Sequence, residues 1–113
     1  MTIKHEDMQV NVLEHLRDGK GNVEMTVMFQ EKPANVKLFN HVRLEPGCSI
    51  GYHPHEGECE IYYIISGNGT VSDDGKWIEV KPGDAMCTPT GHAHSIENTG
   101  TEDLHFVAAI ILA

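Results

Sequence analysis

Cysteine is scarce: Cys48, Cys59 and Cys87 are the only three in 113 residues. No two of them stand in a Cys-x-x-Cys, so zinc-ribbon spacing is absent, and an odd number cannot all pair within the chain. In a reducing compartment they are expected as thiols in small core or surface positions. Basic residues are also few. Eight Lys and Arg face seventeen Asp and Glu, for a net charge of −9. Such a chain repels phosphate backbones and anionic lipid, which disfavours nucleic acid and membrane as partners. No long hydrophobic run exists. The longest, residues 106–113, falls far short of the roughly 20 needed to cross a bilayer. The opening MTIKHEDMQV has no basic stretch followed by an apolar one, so no secretory signal is read and the cytoplasm is the expected location.

What is present points to one soluble globular domain. Turn residues recur often: Asp18-Gly19-Lys20-Gly21-Asn22, Pro46-Gly47, Gly67-Asn68-Gly69, Asp74-Gly75, Lys81-Pro82-Gly83-Asp84 and Asn98-Thr99-Gly100. Short runs lie between them, a rhythm that predicts an all-β sandwich or barrel. Val23, Met25, Val27 and Phe29 alternate, as do Val36, Leu38, Val42 and Leu44, with Asn40 interrupting the second pattern. Residues 61–65 are aromatic and β-branched, which suits a strand. The Asp74-Gly75 pair predicts a hairpin between residues 70–72 and 77–80. The continuous apolar run 104–112 predicts a strand buried on both faces. Residues 8–17 fit a short helix and an irregular strand equally well.

The chain has eight histidines, and their placement matters more than their number. His53 and His55 stand two apart on a predicted strand, so both point to one face. Pro54 between them suits a strand end or bulge. Glu60 follows after a turn, where the reversal can bring it beside the pair. His94 lies beyond Pro89-Thr90-Gly91 and would complete three imidazoles and one carboxylate. That donor set suits one divalent transition metal, Mn, Fe, Zn, Ni, Co or Cu. Its affinity should fall below about pH 6.5, where imidazole protonates.

These residues resemble the two motifs of the cupin superfamily. Gly47, His53, His55, Glu60 and Gly67 match the pattern G-x5-H-x-H-x4-E-x6-G. After an interval of fifteen residues, Gly83, Pro89, Gly91, His94 and Asn98 match G-x5-P-x-G-x2-H-x3-N. The resemblance is to a small single-domain bacterial RmlC-like cupin. It implies an all-β, double-stranded β-helix (jelly-roll) barrel, with His53, His55, Glu60 and His94 as metal ligands. One domain over 1–113 is expected, with an N-terminal extension or strand over 1–22 and the barrel over 36–112. Gly47, Gly67 and Gly83 should sit at turns of positive φ.

Tyr62 shares parity with Glu60 and should point inward as a candidate catalytic acid or hydrogen-bond donor. Tyr52, Met86, Phe39 and Phe106 are candidates for the pocket wall. Glu56 and Glu58 are expected to face solvent at the turn, and His92 to lie on the surface. Two functions follow. The first is a metal-dependent enzyme, a dioxygenase, decarboxylase, isomerase or lyase, acting on a small carboxylate- or sugar-like substrate. The second is a non-catalytic module that holds a small molecule through a structural or anchoring metal. A homodimer is expected from the resemblance.

Overall fold

Paired left-handed residues close the central hairpin. Asp74 and Gly75 have φ of 52° and 89°, the geometry a two-residue hairpin turn requires. Similar punctuation divides the whole chain. The computed structural model describes residues 1–113 as ten strands: β1 (Gln9–Glu14), β2 (Asn22–Val27), β3 (Val36–Leu44), β4 (Ser49–Pro54), β5 (Glu58–Ser66), β6 (Gly69–Asp73), β7 (Lys76–Val80), β8 (Ala85–Thr88), β9 (Ala93–Glu97) and β10 (Leu104–Leu112). Two short 3-10 turns flank β1, at His5–Asp7 and Leu16–Asp18. Gly47, Gly67 and Gly83 all have positive φ, at 86°, 81° and 92°.

The strands form two antiparallel sheets, one in the order β1-β2-β3-β10-β5-β8 and the other β4-β9-β6-β7. Chain order and sheet order differ, so the path crosses between sheets repeatedly and winds a jelly-roll barrel. The inward faces of both sheets meet in one core, which includes Val42, Leu44, Ile64, Ile96, Leu104 and Phe106, all at most 2% exposed. Burying each such side chain contributes about 1.5–3 kcal/mol. Phe106, the largest fully buried one, would cost about 3–5 kcal/mol if cut to alanine.

Asn98 ties the core to the loop after β9. Its Nδ2 donates to the carbonyls of Leu44 and Glu102, each at 2.8 Å, while its Oδ1 accepts from the Gly100 amide at 2.9 Å. A buried amide side chain with both ends satisfied stabilises; an apolar replacement would orphan those backbone groups.

Three expectations change. Residues 8–17 resolve to strand β1 followed by the Leu16–Asp18 turn, because β1 pairs with β2 over six residues. Asn40 does not break its strand. It keeps the inward parity, is buried, and places its Nδ2 3.7 Å from Met25 Sδ. The run 104–112 is not buried on both faces. Its even positions from 104 to 110 are buried and its odd positions from 105 to 111 only partly so, since nothing in the chain covers the outside of the six-stranded sheet.

Candidate metal centre

Strand pairing brings the donors together from three places. His53 on β4 lies opposite His94 on β9 in the ladder. Glu60 on β5 lies opposite Thr88 on β8. His55 follows β4 directly, its amide donating to the His92 carbonyl at 3.0 Å. β4 ends at Pro54, whose ring removes the backbone donor a continuing strand needs.

All four side chains are buried, and one donor atom from each lies within 4.8 Å of the others. The three imidazole rings stand steeply inclined to one another, at 66–80°, with centroids 4.8–4.9 Å apart. Behind each ring, a partner occupies Nδ1. His53 Nδ1 donates to the Gly51 carbonyl at 2.7 Å. His55 Nδ1 donates to the Glu58 carboxylate at 2.7 Å. The Thr88 hydroxyl takes the same place behind His94 Nδ1, also at 2.7 Å. A ring that spends its proton at Nδ1 presents a bare lone pair at Nε2.

Those lone pairs converge. His55 Nε2, His94 Nε2 and Glu60 Oε1 lie 3.0 Å from one another. With the ring protons at Nδ1, these three atoms would all be acceptors, and a cation among them would satisfy all three. The residues therefore suit a metal site. Burial holds the His53 imidazole below its ordinary pKa, with the neighbouring His94 and His55 acting in the same direction. Burial and the nearby Glu60 carboxylate push the Tyr62 phenol well above its usual value.

A cavity of about 210 Å³ opens over His53, His55 and Glu60. Its apolar wall includes Leu13, Leu16, Met25, Leu38, Ile50 and Ile110, and Tyr62 and Arg17 complete the lining. Elsewhere a larger groove of about 460 Å³ runs past Asn68, Glu79, Lys81 and Asp84. It is polar and holds no cluster of donors, so the smaller cavity is the chemically relevant one.

The structure brings His53, His55, Glu60 and His94 together and turns Tyr62 inward, where it stacks on His94 with centroids 4.9 Å apart. The wall differs. Tyr52 is 54% exposed, and Phe39 packs on Phe29 on the outer side of its sheet. Met86 packs on the core and Phe106 lies beneath Tyr62 at 4.7 Å, but neither lines the cavity. Glu58 is also corrected: it is buried, bonded to His55 and to Lys37 Nζ at 2.7 Å. The lysine partner, helped by His55, draws its carboxyl below the usual range. Parity could have found it, since Glu58, Glu60 and Tyr62 alternate inward along one strand. Glu56 is exposed, and His92 sits half-exposed against Asp74.

The family model described as "Cupin domain" matches residues 40–110, which span every donor and its partner. The chain belongs to the cupin family. This cupin is 44% identical over 114 residues to the oxalate-binding protein of Thermotoga maritima, covering 99% of this chain and 94% of that one. A crystal structure described as a predicted oxalate decarboxylase from Thermotoga maritima, also 44% identical, superposes over the full length of both chains with a TM-score of 0.94. A glucose-6-phosphate isomerase of Thermococcus onnurineus is 31% identical over 97 residues, but the cupin spans only 47% of that protein.

Proposed function

We propose that this cupin binds one divalent transition metal through His53, His55, Glu60 and His94 and uses it to hold a small chelating carboxylate of the oxalate type. The observation that carries the reading is the convergence of four buried donors, three of them 3.0 Å from one another. For an ion that takes six ligands, these four donors would leave two positions for a chelate. A bound ion would act as a Lewis acid that fixes a carboxylate through two oxygens. The cavity is small and walled by aliphatic side chains, which suits a ligand of a few atoms. The oxalate-binding protein of Thermotoga maritima supports the same ligand class.

Binding is the function the geometry supports best. Catalysis, as a decarboxylase, dioxygenase, isomerase or lyase, is favoured by one observation, the buried Tyr62 phenol on the cavity wall. With its pKa raised it stays protonated, which suits an acid and not a base. It is the candidate catalytic acid if a reaction occurs.

We also propose a homodimer. The outer face of the six-stranded sheet carries Ile61, Tyr63 and Ile65, at 37%, 52% and 46% exposure, beside the half-buried Val107 and Ile111. A second copy would cover it.

The test is elemental analysis of protein purified without a histidine tag, followed by calorimetry with oxalate on metal-loaded and metal-free samples. Near one equivalent of metal and oxalate binding only to the loaded form are expected. Equal oxalate binding by both forms, or no metal uptake, overturns the reading.

A further inference from the structure

Of the chain's two arginines, Arg43 is held between Glu24 and Asp103 at 2.8 and 3.1 Å. Arg17 takes part in none of the ion pairs. Arg17 is exposed, so its guanidinium is free to meet a ligand. It lines the cavity above the donors with His53, His55 and Glu60, and its charge is felt at His53.

The backbone that presents it is unusual. His15, Arg17 and Asp18 all have left-handed conformations, with φ of 53°, 56° and 61°. Non-glycine residues avoid that region, and clusters of such strain persist where surrounding structure enforces them, often at ligand sites. Here the enforcing contact is visible. The loop lies on β4 so closely that a Cβ on Gly51 would stand 1.9 Å from the Arg17 carbonyl oxygen, and one on Gly19 would stand 2.2 Å from the Ser49 carbonyl oxygen. Only glycine at both places lets the loop dock there. The same Gly51 accepts the Nδ1 proton of the ligand candidate His53 at 2.7 Å. One residue thus seats both the arginine loop and a metal-facing imidazole.

We propose that Arg17 is the specificity-determining residue of this cavity and selects dianionic chelators over monoanionic ones. The inference rests on the metal-and-carboxylate reading above and adds the charge class of the ligand. A divalent ion offset by Glu60 leaves one positive charge, and Arg17 restores a second. A dianion neutralises the pair. An oxalate held on an ion through two oxygens turns its other two outward, and a guanidinium fork matches such an oxygen pair with two parallel hydrogen bonds. A monoanion such as glycolate chelates equally through its carboxylate and hydroxyl but offers one outward oxygen and half the charge.

The test measures oxalate and glycolate affinity by calorimetry on metal-loaded wild type, Arg17→Asn and Arg17→Lys, with metal affinity measured on each. Asparagine tolerates left-handed backbone, so it removes the guanidinium with the least disturbance of the loop. The expected result for Arg17→Asn is a loss of about 10–100-fold in oxalate affinity. Glycolate affinity should change much less, and metal affinity should stay level or tighten as a repelling charge leaves. Arg17→Lys should fall between, keeping the charge without the fork. Oxalate binding by Arg17→Asn within about twofold of wild type, or an equal loss for both acids, overturns the role of Arg17 and leaves the metal reading intact. Loss of metal from Arg17→Asn overturns it too, by showing a structural role. If metal-loaded wild type binds neither acid, the function itself is refuted and the inference falls with it.

Discussion

Two side chains and one backbone carbonyl behind the imidazoles govern how firmly an ion would be held. Glu58, Thr88 and the Gly51 carbonyl each engage an Nδ1 at 2.7 Å, fixing ring orientation and raising the basicity of Nε2. Glu58 is the strongest of these because it is charged, buried, and itself steadied by Lys37 at 2.7 Å. Glu58→Gln should therefore weaken metal affinity by about 10–100-fold while leaving the fold intact, since the amide can still accept a hydrogen bond. Competition with a chromophoric chelator measures it, and unchanged affinity would detach Glu58 from the site. The four donors were legible in the sequence because their spacing is fixed by a two-motif pattern. Glu58 was within reach of the same reasoning, two residues from Glu60 on one face, but its place after a turn suggested solvent. Arg17 was not legible. Its position depends on three left-handed residues and on the approach of Gly19 to β4, and neither leaves a periodic trace.

At the level of elements, β10 joins function to assembly. It pairs with β3 on one side and β5 on the other, so its even residues face the core while Val107, Ala109 and Ile111 face out. The adjacent outward row on β5 is Cys59, Ile61, Tyr63 and Ile65. An apolar run was visible in the sequence; which face lacked cover was not, because that depends on how many layers the chain supplies. His41 and His105, on the two middle strands, stack within this outer face with centroids 5.1 Å apart. If a second copy covers the face, a charge at its centre should split the pair. Tyr63→Glu is expected to shift the mass measured by light scattering from two chains to one, with metal content retained because Glu60 and Tyr62 point the other way along the strand. A wild-type mass of one chain, or a Tyr63→Glu protein that stays at two, removes this dimer.

Across the whole molecule, the donors join the two sheets at one end of the barrel. His53 and His94 come from the four-stranded sheet and Glu60 from the six-stranded one. A bound ion would link them, and stripping it should loosen that end. At an ion concentration one hundred times its dissociation constant the link stabilises by about 2.7 kcal/mol, which for a chain of this size moves the melting temperature by on the order of 10–20 °C. The metal-free protein should also be sensitive to acid in a defined order. Burial lowers the pKa of His53 and of His41 below the ordinary 6.5, and the charge of His105 lowers His41 further. The unfolded chain then takes up protons first, so stability is present above 6.5 and declines as pH falls towards the folded-state values. Glu24 and Glu58 are lowered from 4.5 by their bonds to Arg43 and Lys37; their contribution is present above 4.5 and is lost only below it. A first decline between 6.5 and 4.5 therefore belongs to the histidines. His41 lies outside the metal site, so His41→Asn in metal-free protein isolates one of them. Its melting temperature should fall less steeply than wild type across that interval and in parallel below it. A His41→Asn protein whose melting temperature falls as steeply as wild type across that interval would show that the His41 imidazole is not held neutral by the fold.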